Sequence, residues 1–383
     1  MRVLVIINES WGEVDWLLPI LFHIKNEWRS KIWVYFTSDT IFEESADYVD
    51  LKCMLETVSQ QVVTPATLGA SDNIDSVNEP KIASIDRLQE ITGEAVDLIF
   101  HEFGGENFNG ILDLFPSAQT VAFPHGTFIY KWVGSGLRDS YRRSMHFEAM
   151  RRDTVLLVGS ELDREHFVSL TGLTRIEVVG HPKLNRAWVN KMAQEDWSDH
   201  HAGEGLASKS EILFLQYPGR RLSSQAKYAD VNRTVFHQGK RRGLSVIVRR
   251  HPRQEPAQLA ACIDAWPDSE VRLTKLSVLA SSRNILIAVC LPTSGCMDAI
   301  AAGIPVIEFF DYEGEYWPTF VPTSAGYTSI YRKTGLVLSA DTREQLEAEI
   351  DRLVDDPTYR KKVVTTQYQN LTRLLPIAGS SAS

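Results

Sequence analysis

The sequence predicts an α/β protein built from two doubly wound halves, each a mainly parallel sheet with helices on its faces. Three observations predict it. Short apolar, β-branched runs alternate along the chain with segments of helical spacing. These runs end in polar or glycine-bearing loops, the pattern of strand, turn and helix in a parallel βαβ unit. The alternation runs twice, with a polar aperiodic stretch between the series, and 383 residues is long for one hydrophobic core.

The first series opens with a strand over Arg2–Asn8 and a turn at Glu9-Ser10-Trp11-Gly12. Val14, Leu17, Leu18, Leu21 and Ile24 then recur at helical spacing, so Glu13–Trp28 is expected to be a helix leading to a strand at Lys31–Thr37. Residues from about Ser59 to Pro80 are rich in Ser, Asp, Asn and Thr and read as a loop or insertion. A helix follows at Lys81–Ile91, then strands at Val96–His101, ending in HEFGGENFNG, and at Thr120–Phe123, ending in PHGTF. A strand at Val155–Ser160, a helix at Glu161–Thr171 and a run at Arg175–Val179 into GHPKLNRAW close this half. Lys191–Ser210 is the expected linker.

The second series begins with a strand at Glu211–Gln216, ending in YPGRR, and a helix over Tyr228–Gly239. Ser245–Arg249 is a strand ending in RRHPR, followed by a helix at Gln258–Trp266 and a short strand at Val271–Leu273. The organising unit is Ile285–Phe309: a buried strand, a Pro-Thr-Ser-Gly turn, a short helix from Cys296 to Ala302, a stop at Gly303 and a second strand from Pro305. Helices at Arg343–Leu353 and Pro357–Leu375 finish the chain before a frayed AGSSAS tail. The expected domains are residues 1–190, residues 208–355, and a C-terminal segment, 356–383, whose helix returns to the first domain. A cleft between the domains is expected.

Composition narrows the function classes. The chain is 44% apolar and 23% charged, the profile of a globular protein. A net charge of −9 argues against a general nucleic-acid partner, while leaving room for local basic patches. Cys53, Cys262, Cys290 and Cys296 show no CxxC pair or metal-ligand spacing and are expected to be reduced thiols of a cytoplasmic protein. MRVLVIINES lacks the form of a signal peptide, and no apolar run approaches the roughly 20 residues of a membrane span. Any membrane contact is therefore expected to be peripheral, at the inner face.

In doubly wound domains ligands meet the loops at the carboxyl ends of the strands. The second half places three anion-suited loops there: Tyr217-Pro218-Gly219-Arg220-Arg221, Arg249-Arg250-His251-Pro252-Arg253 and Thr293-Ser294-Gly295. Guanidinium groups bind phosphate oxygens in bidentate fashion, and a helix start adds partial positive charge. Any one of these loops could simply be solvated, but the three together in an acidic chain point to a phosphate or pyrophosphate pocket. Asp298, four residues after Ser294, suits either ribose hydroxyls or the helix dipole.

With these motifs in hand, the chain resembles the GT-B glycosyltransferases. TSGCMDAIAAGIPVI is similar to their acidic-A-x-A-x-G-x-P pattern, with Asp298 in the acidic place and Gly303 and Pro305 behind it. His251-Pro252 resembles the HP motif of cytidine-nucleotide enzymes: bacterial sialyltransferases, Kdo transferases and CDP-glycerol glycerophosphotransferases. VVGHPKLN resembles the segment closing the first half of the latter two, although it places a second HP at His181. The resemblance implies that His251 and Pro252 contact the cytidine nucleotide and Ser294 its phosphate. It implies no cofactor beyond the activated donor, and no metal site is apparent.

Transfer to a hydroxyl needs a carboxylate or imidazole beside the acceptor. Glu13, in SWGE, looks like the SxGE base segment of Kdo transferases, and His125, in PHGT, looks like the HGT segment of glycerophosphotransferases. Glu102 and Glu106 sit on a glycine-rich loop, although no acidic-acidic-Gly triplet is present. Glu13 could instead be a first-turn helix acid, His125 a turn-stabilising imidazole and Glu102 a loop charge; Glu13 is preferred over His125, where Phe128 departs from HGTP. The expected function is transfer of Kdo or a related sugar from a CMP donor to a glycan or lipid-linked acceptor in capsule or lipopolysaccharide synthesis. The alternatives are glycerophosphate transfer from CDP-glycerol, or a UDP-sugar transferase or 2-epimerase; the HP motif speaks against the epimerase.

Overall fold

A computed structural model of the chain describes residues 1–8, 10–69, 82–93, 95–103, 109–124, 153–171, 173–195, 197, 210–216, 225–251, 256–264, 271–313 and 320–376. The chain divides into two compact units, with the main crossing between Lys183 and Leu184. Each holds one parallel sheet. Two Rossmann-like α/β domains are present, as the strand-and-helix alternation predicts.

In the first unit β1 (Arg2–Ile7), β2 (Lys31–Phe36), β3 (Gln61–Val63), β4 (Leu98–Glu102), β5 (Gln119–Phe123), β6 (Val155–Val158) and β7 (Ile176–Val178) assemble in the order β3-β2-β1-β4-β5-β6-β7. β1 shows why: Val3, Leu4, Val5, Ile6 and Ile7 are all buried, so both faces of the strand are covered, as in a parallel sheet. One core forms around Leu4, Ile6, Trp33, Tyr35, Ile99 and Phe115. β3 lies inside the stretch expected to be loop. It is too short to show periodicity, and its register comes from β2, where Val34 faces Val62. Residues 70–81 lie outside the described set.

The second unit carries β8 (Glu211–Leu215), β9 (Ser245–Arg249), β10 (Val271–Thr274), β11 (Ile285–Cys290), β12 (Val306–Phe309) and β15 (Leu338–Ala340), in the order β10-β9-β8-β11-β12-β15. A small antiparallel hairpin of β13 (Val321–Thr323) and β14 (Gly326–Thr328) stands apart from that sheet. The core runs through Ile212, Phe214, Val248, Ile287, Val289, Ile307 and Phe310. The terminal helix, Pro357–Leu374, packs within this unit on the helices Gly295–Ala301 and Arg343–Asp355. Its Gln367 amide holds both the N–H and the C=O of Val306, at 3.0 and 2.8 Å. Return to the first unit begins only at Leu375, which is buried close to Gly159.

A helix at Arg186–Gln194 runs into the start of the expected linker; most of the remainder, residues 198–209, lies outside the described set. No helix among the described residues is long and apolar enough to cross a membrane.

Candidate functional site

Both sheets have a point where strand order reverses, and ligands of doubly wound folds bind outside the carboxyl ends of the strands at that point. In the second sheet the reversal falls between β8 and β11. β9 and β11 flank β8 there, so the residues leaving β9 and β11 meet one edge.

Arg249 closes β9 half-buried. Its guanidinium donates to the Thr274 carbonyl at 3.3 Å, and its own carbonyl accepts the Gln216 N–H at 3.1 Å. Arg250 and His251 follow, also half-buried. From β11 the chain turns tightly: the Cys296 N–H donates to the Thr293 carbonyl and the Met297 N–H to the Ser294 carbonyl. Ser294 has helical backbone angles, is exposed, and makes no side-chain cap bond, so its hydroxyl is not used to start the helix. The Thr293 hydroxyl lies 3.5 Å from the Gly295 N–H. A Cβ on Gly295 would meet Leu215 at 3.4 Å, which seats the turn against the end of β8. Asp298 is only 7% exposed, in the helix's first turn near the buried Cys296. Pro252, Arg220 and the rest of the YPGRR loop lie outside the described residues.

Beneath this edge is a buried polar chain with no sequence signature. The Tyr228 hydroxyl donates to Gln216 at 2.8 Å, Gln216 donates to Asn232 at 2.9 Å, and Asn232 donates to the Tyr228 carbonyl at 2.8 Å. It ties the exit of β8 to the helix Gln225–Arg242.

In the first sheet the reversal falls between β1 and β4, and two expected site residues are there. The helix after β1, α1 (Trp11–Trp28), begins two residues earlier than its apolar spacing suggests, which makes Glu13 the third helical residue. Its carboxylate completes a capping box with Ser10: one oxygen accepts the Ser10 N–H at 2.9 Å and the other the Asn8 N–H at 3.0 Å. Glu13 is fully buried in this role. Glu102 ends β4 and is 4% exposed. The preceding His101 is buried and donates from Nδ1 to the Glu102 carbonyl at 2.9 Å; burial lowers its pKa to about 4, so the ring is neutral. His125 and Glu106 lie outside the described residues.

The same edge carries two groups that the motifs did not nominate as site residues. Asp163, just inside the helix Glu161–Thr171, accepts the Ser160 hydroxyl at 2.9 Å on one oxygen, while the other is buried without a hydrogen-bond partner. Burial raises its pKa to about 6 against the lowering effect of Ser160. His181, the second HP histidine, follows β7 with its ring edge toward Trp16 at 6.2 Å and its Nδ1 buried without a partner. Burial, then the nearby Lys183 ammonium, holds its pKa well below the usual range. Lys183 pairs with Asp15 of α1 at 2.8 Å. Neighbouring strands that expose no common motif bring these groups together, so only the fold could show them. Among the described residues no cluster of His, Cys, Asp or Glu is placed to hold a metal ion.

Solved structures resemble the chain over almost its whole length. A UDP-GlcNAc 2-epimerase from Methanocaldococcus jannaschii matches with a TM-score of 0.58 and 11% identity, over 97% of this chain and 98% of its own. The enzyme from Neisseria meningitidis, solved with UDP-GlcNAc bound, matches with a TM-score of 0.55 and 11% identity, over 97% and 96%. A further M. jannaschii structure, in complex with UDP-GlcNAc and UDP, gives 0.54 and 12%, over 97% and 98%. The likeness is one of fold. It is a GT-B-type fold of two Rossmann-like units, and at this identity it extends to no residue's role. No protein-family model and no curated protein matches the sequence.

Proposed function

We propose that this chain is a GT-B-type enzyme acting on a nucleotide-activated sugar, with the nucleotide held at the carboxyl edge of the second sheet. The observation that carries the reading is the whole-length likeness, across both units, to structures determined with UDP-GlcNAc or UDP bound. It supports a UDP-sugar, for transfer or 2-epimerisation, ahead of the CMP-Kdo donor that the HP motif suggests. In this reading Arg249 and Arg250 meet phosphate charge, and the uncommitted Ser294 hydroxyl donates to a phosphate oxygen. The cytidine reading has one observation in its favour: His251 leaves β9 at the reversal-point edge.

Chemistry on the sugar needs a proton acceptor. Glu13 must release two backbone N–H groups to serve. Of the two carboxylates at the reversal point of the first sheet, we infer that Glu102 is the candidate for this role. The acceptor, if the reaction is transfer, is a glycan or lipid-linked hydroxyl.

Isothermal titration with UDP, UDP-GlcNAc, CMP and CDP tests the reading. Binding of UDP and UDP-GlcNAc is expected. Binding confined to CMP or CDP replaces uridine with cytidine, and no binding by any of the four refutes a nucleotide-sugar enzyme.

A further inference from the structure

The segment Phe309–Tyr312 leaves β12 beside the exit of β11, where Glu308 pairs with Cys290 across the ladder. It is held unusually tightly. One terminal nitrogen of Arg332 donates to three main-chain carbonyls, those of Glu308 at 2.8 Å, Phe310 at 2.9 Å and Ala340 at 3.0 Å. Its Nε lies 2.6 Å from the Glu308 carboxylate, and its other terminal nitrogen bonds Asp341. The Tyr312 hydroxyl donates to the same Glu308 oxygen at 2.8 Å, and the guanidinium sits 5.0 Å from the Tyr312 ring centre. From the helix Gln225–Arg242, Lys227 donates to the Asp311 carbonyl at 2.7 Å and lies over the Phe310 ring.

Glu308 is fully buried, and the Arg332 side chain is 8% exposed. Burying two charges costs several kcal/mol per ion, and well-packed apolar residues usually stabilise such a site as well or better. What this pair adds is geometry. The guanidinium spreads three nitrogens in one plane, so that one meets three carbonyls from two strand ends while the others hold the Glu308 carboxylate and Asp341. An apolar side chain makes none of these contacts, and a lysine's single nitrogen cannot make them together.

On the reading that the second sheet's edge binds the nucleotide, we propose that Arg332, oriented by Glu308 and Tyr312, is a positioning residue for that site. It holds the exit of β12 in register with the Thr293-Ser294-Gly295 turn leaving β11. It touches no ligand itself and acts through the main chain of Glu308 and Phe310.

Arg332→Lys tests this, because lysine keeps a positive charge but, with one nitrogen, cannot hold the three carbonyls, the Glu308 carboxylate and Asp341 together. UDP titration, thermal unfolding and hydrogen exchange of the 308–312 peptide are measured on the full chain. The expected result is a melting temperature within a few degrees of wild type, faster exchange in that peptide, and UDP affinity weakened by about tenfold. Wild-type affinity in a folded Arg332→Lys protein overturns the proposal. If that variant does not fold, Tyr312→Phe removes one bond to Glu308 and is expected to weaken UDP several-fold; unchanged affinity there also overturns it. A wild-type protein that binds no nucleotide removes the donor-site reading, and the proposal with it. Wild-type binding with unaffected variants removes the proposal alone.

Discussion

Asp163 gives a prediction whose size follows from its surroundings. Its pKa is raised from 3.8 to about 6 because the carboxyl is buried, with one oxygen bonded to Ser160 and the other unpartnered. Between those values the folded protein keeps a proton that the unfolded chain has released, so stability falls as pH rises through this window. About 2 pKa units at 1.36 kcal/mol each amounts to about 3 kcal/mol, fully felt above about pH 7. His101 and His181 act in the opposite sense. Their folded pKa values are lowered, the unfolded chain binds more protons, and stability rises with pH up to about 6.5. A wild-type curve therefore mixes opposing slopes, and the informative quantity is the difference between wild type and Asp163→Asn. Asparagine keeps an acceptor for Ser160 and leaves intact the bond that the residue-163 N–H donates to the Ser160 hydroxyl. Its amide nitrogen, buried without a partner, adds a constant offset of about 1–3 kcal/mol. Urea unfolding of both proteins from pH 3.5 to 7.5 is the assay. The stability difference should shift in the variant's favour by about 3 kcal/mol across the whole range, most steeply between pH 4 and 6, and level off above about pH 7. Parallel curves would refute the reasoning and mean that Asp163 titrates in the ordinary carboxylate range.

Three other substitutions test other parts of the structure. Glu13→Gln removes one of two carboxylate oxygens that accept backbone N–H groups at the α1 start, so it should lower stability by about 1–2 kcal/mol in urea unfolding. Lost turnover with unchanged stability would instead mark Glu13 as the base. Ser294→Ala removes no cap bond and should leave the melting temperature unchanged while weakening UDP binding in a titration by about tenfold; unchanged affinity would remove Ser294 from the site. Gly239→Ala places a Cβ 2.4 Å from Val246 Cγ2 and 3.2 Å from the Leu244 carbonyl, so it should cost about 1–3 kcal/mol by denaturant titration.

Much of the architecture could be read from local pattern. The runs VLVII, ILFL, VIV and ILIAVC are apolar on both faces because a parallel sheet is covered on both faces, so each names its strand without help from partners. Strands of three residues could not be read this way. β3, β7 and β15 are extended because a neighbour supplies the ladder: β15, for example, pairs Leu338 with Ile307. The helix Val49–Val58 carries Leu51, Met54, Leu55 and Val58 at helical spacing, so its signal too is local.

The sequence by itself determined that there are two α/β halves and which loops end their strands, because hydrophobic periodicity is a local property of the chain. Arg249, His251 and Ser294 could be nominated on that basis alone. Only the tertiary structure decided what those and other polar side chains do. Whether Glu13 caps a helix or faces a substrate depends on where Asn8 and Ser10 point their N–H groups. The roles of Asp163, His181, Glu308 and Arg332 depend on burial and on partners that can lie far away in sequence, as Arg332 and Glu308 do. A charge in water and a charge in a protein core are the same letter in a sequence. The desolvation that separates them exists only once the chain has folded.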